Sequence, residues 1–130
     1  MGGQAFAQGK AVKAAPAPAA ATGGYATLVA AAQDCLKTGA VCEEHCVATL
    51  SKGDTSMAEC LGTVRAMLAS CEALAALGIM GSGHTKAFAA VCAKVCRDCE
   101  AACKKHENHH AECKACMESC AKCAAACEKA

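Results

Sequence analysis

The sequence predicts an all-α protein, an antiparallel up-down-up-down four-helix bundle with a Cys-lined core. Three observations predict it. Aromatic residues are scarce, with no Trp, one Tyr and two Phe, so Ala, Leu, Val and Cys must fill the interior. That filling suits closely spaced helices better than a β-sandwich. Cysteines recur three and four residues apart, as in "CKACMESCAKCAAAC" at Cys113–Cys127, which is the spacing of one helix face. Three short gaps divide residues 25–130 into long helical stretches, and short connections between long helices place sequential helices antiparallel.

The elements follow in order. Residues 1–24, "MGGQAFAQGKAVKAAPAPAAATGG", carry no apolar periodicity, and the X-Pro steps at Pro16 and Pro18 favour extended backbone. This segment reads as a disordered arm ahead of a bundle domain at 25–130. The first helix is expected over about 25–51, with Gly53 in "SKGDTS" as its stop and Asp54 or Thr55 capping the next. The second is expected over about 55–78, ended by the glycines of "GIMGSGH", with Ser82 as the following cap. The third covers about 83–106, up to "HENHH", and the fourth about 108–128, with Asn108 as its cap.

A net charge of +1 gives no electrostatic case for nucleic acid or an anionic membrane. No unbroken apolar run reaches the length of a membrane span. Cysteine, at 14 of 130 residues, reads first as a disulfide scaffold in a short secreted chain. Spacing has to decide, because the count alone does not.

Cys113, Cys116, Cys120, Cys123 and Cys127 form an unbroken seam on the fourth helix, and Cys92, Cys96, Cys99 and Cys103 do so on the third. The second helix presents Met57, Cys60, Val64, Met67, Cys71, Leu74 and Gly78, and the first Leu28, Ala32, Cys35, Gly39, Cys42 and Cys46. Lys and Glu fill the positions between. The thiols thus replace the leucines of an ordinary bundle core, and the charges face water.

Neighbours on one helix face have Cβ atoms about 5–6 Å apart, whereas a disulfide needs about 3.8 Å. They pair poorly without distortion. Metal suits them better. Two thiolates bridging one ion linearly need sulfurs about 4–5 Å apart, scaling from the ~2.3 Å zinc–sulfur bond. Five Cys-x-x-x-Cys pairs meet that need: Cys42/Cys46, Cys92/Cys96, Cys99/Cys103, Cys116/Cys120 and Cys123/Cys127. Cys35 and Cys71 lack a near partner on their own helices and pair only by depth.

Charge separates the metals. A Zn(Cys)₄ site carries two negative charges, and several stacked in a dry core are costly. Soft thiolates select Cu(I), a monovalent ion that one thiolate neutralises. With each thiolate bridging two ions, capacity is on the order of 14 Cu(I) per chain. Iron–sulfur binding is the rival soft-metal reading, but the familiar cluster spacings rely on loops and a following Pro, and none follows Pro18. Buried neutral thiols act as small hydrophobes, so the metal-free bundle should fold.

Loops one and three should share an end that gathers His45, Met57, His106, His109 and His110, with Leu28, Leu74, Leu77, Phe88 and Val91 as an apolar plug opposite. Thioether and imidazole there suit transient copper ligands, Met57, His45, His106 and His110 foremost. The plain alternative is that loop histidines are solvated and Met67 is core filler.

The motifs "CEEHC", "CAKVC", "CEAAC", "CMESC" and "CAAAC" resemble those of the bacterial copper storage proteins over residues 25–130. The resemblance implies a thiol-lined four-helix bundle holding many Cu(I) ions on its inward cysteines. It implies an open end with His and Met ligands, by matching motif His45 and Met57. It also implies a homo-oligomer, a tetramer foremost. A copper reservoir would in turn have a copper chaperone or copper enzyme as partner. The cysteine count and the "AFA" of Ala5–Ala7, which resembles the end of an export signal, slightly favour an exported or periplasmic branch, with a cytoplasmic location as the alternative.

The favoured class is a non-enzymatic copper reservoir. The second is a helical scaffold stapled by disulfides, such as a twin-cysteine hairpin across Cys103 and Cys113. A zinc or iron–sulfur protein remains an alternative. A thiol redox enzyme needs an exposed Cys-x-x-Cys at a helix start, and here such pairs lie mid-helix.

Overall fold

A computed structural model describes residues 24–130. The expected arm therefore lies, Gly24 apart, outside the described residues. Four α-helices follow in order, with no strand among the described residues: α1 (Ala26–Ser51), α2 (Ala58–Ile79), α3 (Thr85–Lys104) and α4 (Ala111–Lys129). A 3-10 turn at Thr55–Met57 leads into α2. The helices pack as a closed ring, α1 on α2 and α4, and α3 on α2 and α4.

The stops are where Gly is needed. Gly53 and Gly81 adopt positive φ, +89° and +63°, a conformation other residues resist. Gly53 N–H donates to Leu50 O at 2.9 Å, and Gly81 N–H to Gly78 O at 3.1 Å. Asp54 accepts from Ser56 N–H at 2.9 Å, and that backbone bond holds its carboxyl below the usual range.

Two expected caps fail. Ser82 Oγ accepts from His84 N–H at 3.1 Å, one step before α3. Asn108 lies in the turn, and α4 starts after an extended His110 that makes no side-chain cap. The third gap is accordingly wider than expected, because α3 stops at Lys104 and α4 waits until Ala111. Its backbone closes on itself through His106 N–H to Cys103 O and His110 N–H to His106 O.

Every residue of the expected seams on α1 and α2 is buried, and so are all 14 cysteines. Periodicity alone accounts for this, since i, i+3 and i+4 share a face. The apolar end is built differently from expectation. Leu28, Val29 and Leu74 are buried there, but Val91 is 55% exposed. Val91 lies one residue before Cys92, so the Cys92 seam turns it outward. Thr85 takes an inward place instead, its hydroxyl donating to Leu77 O at 3.1 Å and Ser82 O at 2.8 Å.

Thr55–Ile79 is long and apolar enough to cross a membrane by length and composition. Its inward seam, Cys60 to Leu74, is nonetheless part of the bundle core. Ion pairs tie the surface: Glu43–Arg65 at 3.3 Å, Glu59–Lys105 at 2.9 Å and Arg97–Glu128 at 2.7 Å. Exposed pairs of this kind stabilise little.

Candidate metal centre

Helical phase turns the cysteines inward, and the ring of helices then stacks them in groups. Deepest, next to the apolar end, the sulfurs of Cys35, Cys71, Cys96 and Cys123 lie within 4.8 Å of one another, as do those of Cys92, Cys123 and Cys127. Nearer the His-bearing end come Cys99, Cys116 and Cys120, then Cys42, Cys103 and Cys116, then Cys42, Cys60 and Cys113. On the α1–α2 side the row is interrupted. Gly39 and Met67 occupy that level, and a Cβ on Gly39 would lie 2.6 Å from Met67 Cε. Met67 fills the space that Gly39 leaves.

Contacts between sulfurs run along and across helices. Cys92–Cys96, Cys99–Cys103 and Cys116–Cys120 stand at 4.0, 3.9 and 4.0 Å. These i, i+4 separations sit at the short edge of the range a linear thiolate bridge requires. Between helices, Cys60–Cys103 is 3.4 Å, Cys42–Cys60 3.8 Å and Cys99–Cys116 3.9 Å. Cys46 is fully buried, yet it joins none of the groups of three or more. All 14 thiols are free.

The thiols perturb one another. Burial first, then the Cys42 and Cys60 sulfurs, pushes Cys46 and Cys113 upward. At Cys60 a hydrogen bond from Cys103 pulls down, but the Cys42 hydrogen bond and burial outweigh it and push the thiol up to about 11. Cys127 is pushed up to about 12, chiefly by its hydrogen bond with Cys123. Cys42 and Cys99 go the other way, chiefly through side-chain hydrogen bonds with Cys103 and then Cys116.

At the end of the row, His45 Nε2 and His110 Nδ1 are 2.8 Å apart, and His45 Nδ1 is 3.6 Å from Glu112 Oε1. The His106 ring lies edge-on to His110 at 5.8 Å between centroids. Met57 is fully buried. His109 is exposed. Sequence reasoning missed Glu112. An acidic residue in the first turn of a helix reads as a partner for the helix dipole, and nothing in its spacing announces a histidine on α1.

A family model described as "Copper storage protein" matches residues 22–130. The chain belongs to the copper storage protein family. No curated protein shows a detectable match to it. Storage of copper by a non-enzymatic binding protein is the family's role, and copper is its cargo. The clustered buried thiols are the donor set a soft metal requires, so membership and side-chain chemistry agree.

Proposed function

We propose that this copper storage protein takes up many Cu(I) ions on its core-facing thiolates, roughly one per cysteine, and so buffers or supplies copper. The observation that carries this reading is the burial of all 14 cysteines, ten of which bring their sulfurs to 3.4–4.0 Å of another. Each ion that binds displaces a thiol proton, RSH + Cu⁺ → RS–Cu + H⁺, and leaves the core neutral. A divalent ion at every group would leave anions stacked in a dry interior.

The ligands are Cys35, Cys42, Cys46, Cys60, Cys71, Cys92, Cys96, Cys99, Cys103, Cys113, Cys116, Cys120, Cys123 and Cys127. The bundle at 25–130 runs up-down-up-down with sequential helices antiparallel and a Cys-lined core, behind an arm at 1–24. Contacts that pair Gly78 with Val29 and Cys42 with Cys60 support antiparallel α1 and α2. Copper enters at the end that holds His45, Met57, His106 and His110. The 2.8 Å contact between His45 and His110 supports a shared ion there in place of a shared proton. The chain acts without enzymatic turnover, as a homo-oligomer with a tetramer as the expected form, and exchanges copper with a chaperone or copper enzyme.

Titration of the reduced chain with Cu(I) against a competing chelator tests this. Saturation on the order of 14 ions is expected, and saturation at one or two would defeat the reservoir. The 3.4 Å approach of Cys60 to Cys103 favours a second reading, a disulfide-stapled scaffold. A thiol count on denatured metal-free protein separates the two: nearly full free thiol supports storage, and nearly none supports the scaffold.

A further inference from the structure

Cys35, Cys71, Cys96 and Cys123 differ from the other sulfur groups of the described core. They are four rather than three, and each comes from a different helix. A tetrahedral zinc–thiolate centre with ~2.3 Å bonds has sulfur–sulfur edges of about 3.8 Å. Cys71 Sγ lies 3.8 Å from Cys96 Sγ and 4.0 Å from Cys123 Sγ. The remaining separations stay within 4.8 Å. Closing the tetrahedron needs no more than about an ångström of movement at any edge, within reach of small rotamer changes.

We propose that this layer is a discrete site for one divalent metal ion of tetrahedral thiolate preference, Zn²⁺ first among them, with one ligand from each helix. Binding is a proton exchange with no change of oxidation state: M²⁺ + 4 RSH → [M(SR)₄]²⁻ + 4 H⁺.

The objection is the residual charge of two, and the surroundings answer it once but not repeatedly. Cys92 Sγ lies 3.9 Å from Cys71 and 4.0 Å from Cys96, and Cys127 and Cys92 are grouped with Cys123. These thiols are outside the tetrahedron. They keep their protons and donate to ligand sulfurs, which spreads the charge as outer hydrogen bonds do in other thiolate centres. On the side toward the histidines, Met67 against Gly39 breaks the thiol row on α1 and α2. Among the described residues no second four-thiol layer abuts the first, so the dianions that make a zinc column untenable do not stack. The three-thiol groups lack the fourth ligand that a closed divalent site demands.

The site has a consequence for the fold. One ion here bridges all four helices, so it stabilises the bundle when copper is scarce. Excess Cu(I), the softer and tighter thiolate ligand partner, reclaims the four sulfurs.

Anaerobic titration of the reduced, metal-free full chain with Co²⁺ tests the proposal. The expected result is the intense visible d–d bands of a tetrahedral tetrathiolate, saturating at one equivalent and bleached by one equivalent of Zn²⁺. Cys71→Ser and Cys96→Ser should weaken Co²⁺ binding more than about 10-fold, whereas Cys46→Ser should keep the bands. Far-UV circular dichroism checks that each variant is helical. Cadmium NMR of the unmutated chain, expected to give a single tetrathiolate resonance, needs no variant at all. Absent bands, saturation at several equivalents, or equal loss in Cys46→Ser would overturn the site. Cu(I) titration of the same sample reads the storage reading separately, so failure of either is distinguishable from failure of the other.

Discussion

Cys60 Sγ on α2 and Cys103 Sγ on α3 approach to 3.4 Å, the shortest of the sulfur contacts described above. A disulfide bond is about 2.05 Å long, so this pair needs the least movement to close. Mild oxidation of the metal-free chain should therefore crosslink Cys60 to Cys103 before any i, i+4 pair. Peptide mapping of the first oxidised species checks it, and a first crosslink within one helix would refute the ordering.

Two glycines of α2 should respond to alanine with opposite signs. At Gly78 an added Cβ would lie 2.6 Å from Val29 Cγ2, a stiff β-branched neighbour. Gly78→Ala should destabilise by about 1–3 kcal/mol. At Gly62 an added Cβ meets nothing within 4 Å. Gly62→Ala should stabilise by about 0.5–1 kcal/mol through helix propensity. Urea melts of the two variants decide the matter, and equal signs would contradict the packing.

Replacing thiols should separate folding from capacity. A buried neutral cysteine packs as a small hydrophobe. Cys116→Ala should then cost on the order of 1 kcal/mol in the metal-free chain. Its Cu(I) saturation should fall by about one or two ions, since each thiolate serves neighbouring ions. Chelator competition alongside thermal melts reads both quantities. Unfolding of the variant without metal would show that the thiols do more than fill space.

Stability of the metal-free chain should fall at alkaline pH. Cys60 and Cys127 are pushed up to about 11 and about 12, above the ordinary thiol value of about 8.5. Between those values the unfolded chain has lost protons that the folded chain retains, so the unfolding free energy decreases as pH rises. The contribution is complete below about pH 8.5 and lost progressively toward pH 11–12. Denaturant midpoints under reducing conditions across that window give the answer. A midpoint that rises instead would reverse the sign of the burial effect.

The paired rings of His45 and His110 should govern rate more than amount. His45 is positioned by His110 at 2.8 Å and by Glu112 at 3.6 Å. On the proposed role of the imidazole as a passing ligand, His45→Ala should slow Cu(I) uptake several-fold and leave saturation nearly unchanged. Stopped-flow transfer from a chelator supplies the rate. An unchanged rate would return these histidines to the status of solvated loop residues.

Helical phase was legible without any structure. Spacings of three and four residues name a face, and the named faces of α1 and α2, from Leu28 to Gly78, are buried without exception. The helix ends were less legible. Gly53 and Gly81 mark their stops through positive φ, but Asn108 carried a cap signature and caps nothing, because α4 starts after His110 instead. Val91 read as part of an apolar plug and is exposed, since an apolar residue one step off a cysteine seam must point away from it.

What the sequence determined by itself is therefore the inward direction of each thiol, because a helix converts linear spacing into a face through purely local geometry. What only the tertiary structure decided is which thiols meet. Cys35 and Cys71 have no near partner along their own chain segments, yet they join Cys96 and Cys123 in one group. That meeting depends on the relative heights of four helices, and the close approaches at Gly39 and Gly78 bear on the offset of α1 against α2. Likewise His45 finds His110 and Glu112 across the bundle. Helical period fixes rotation about each axis but carries no information about the offset between axes.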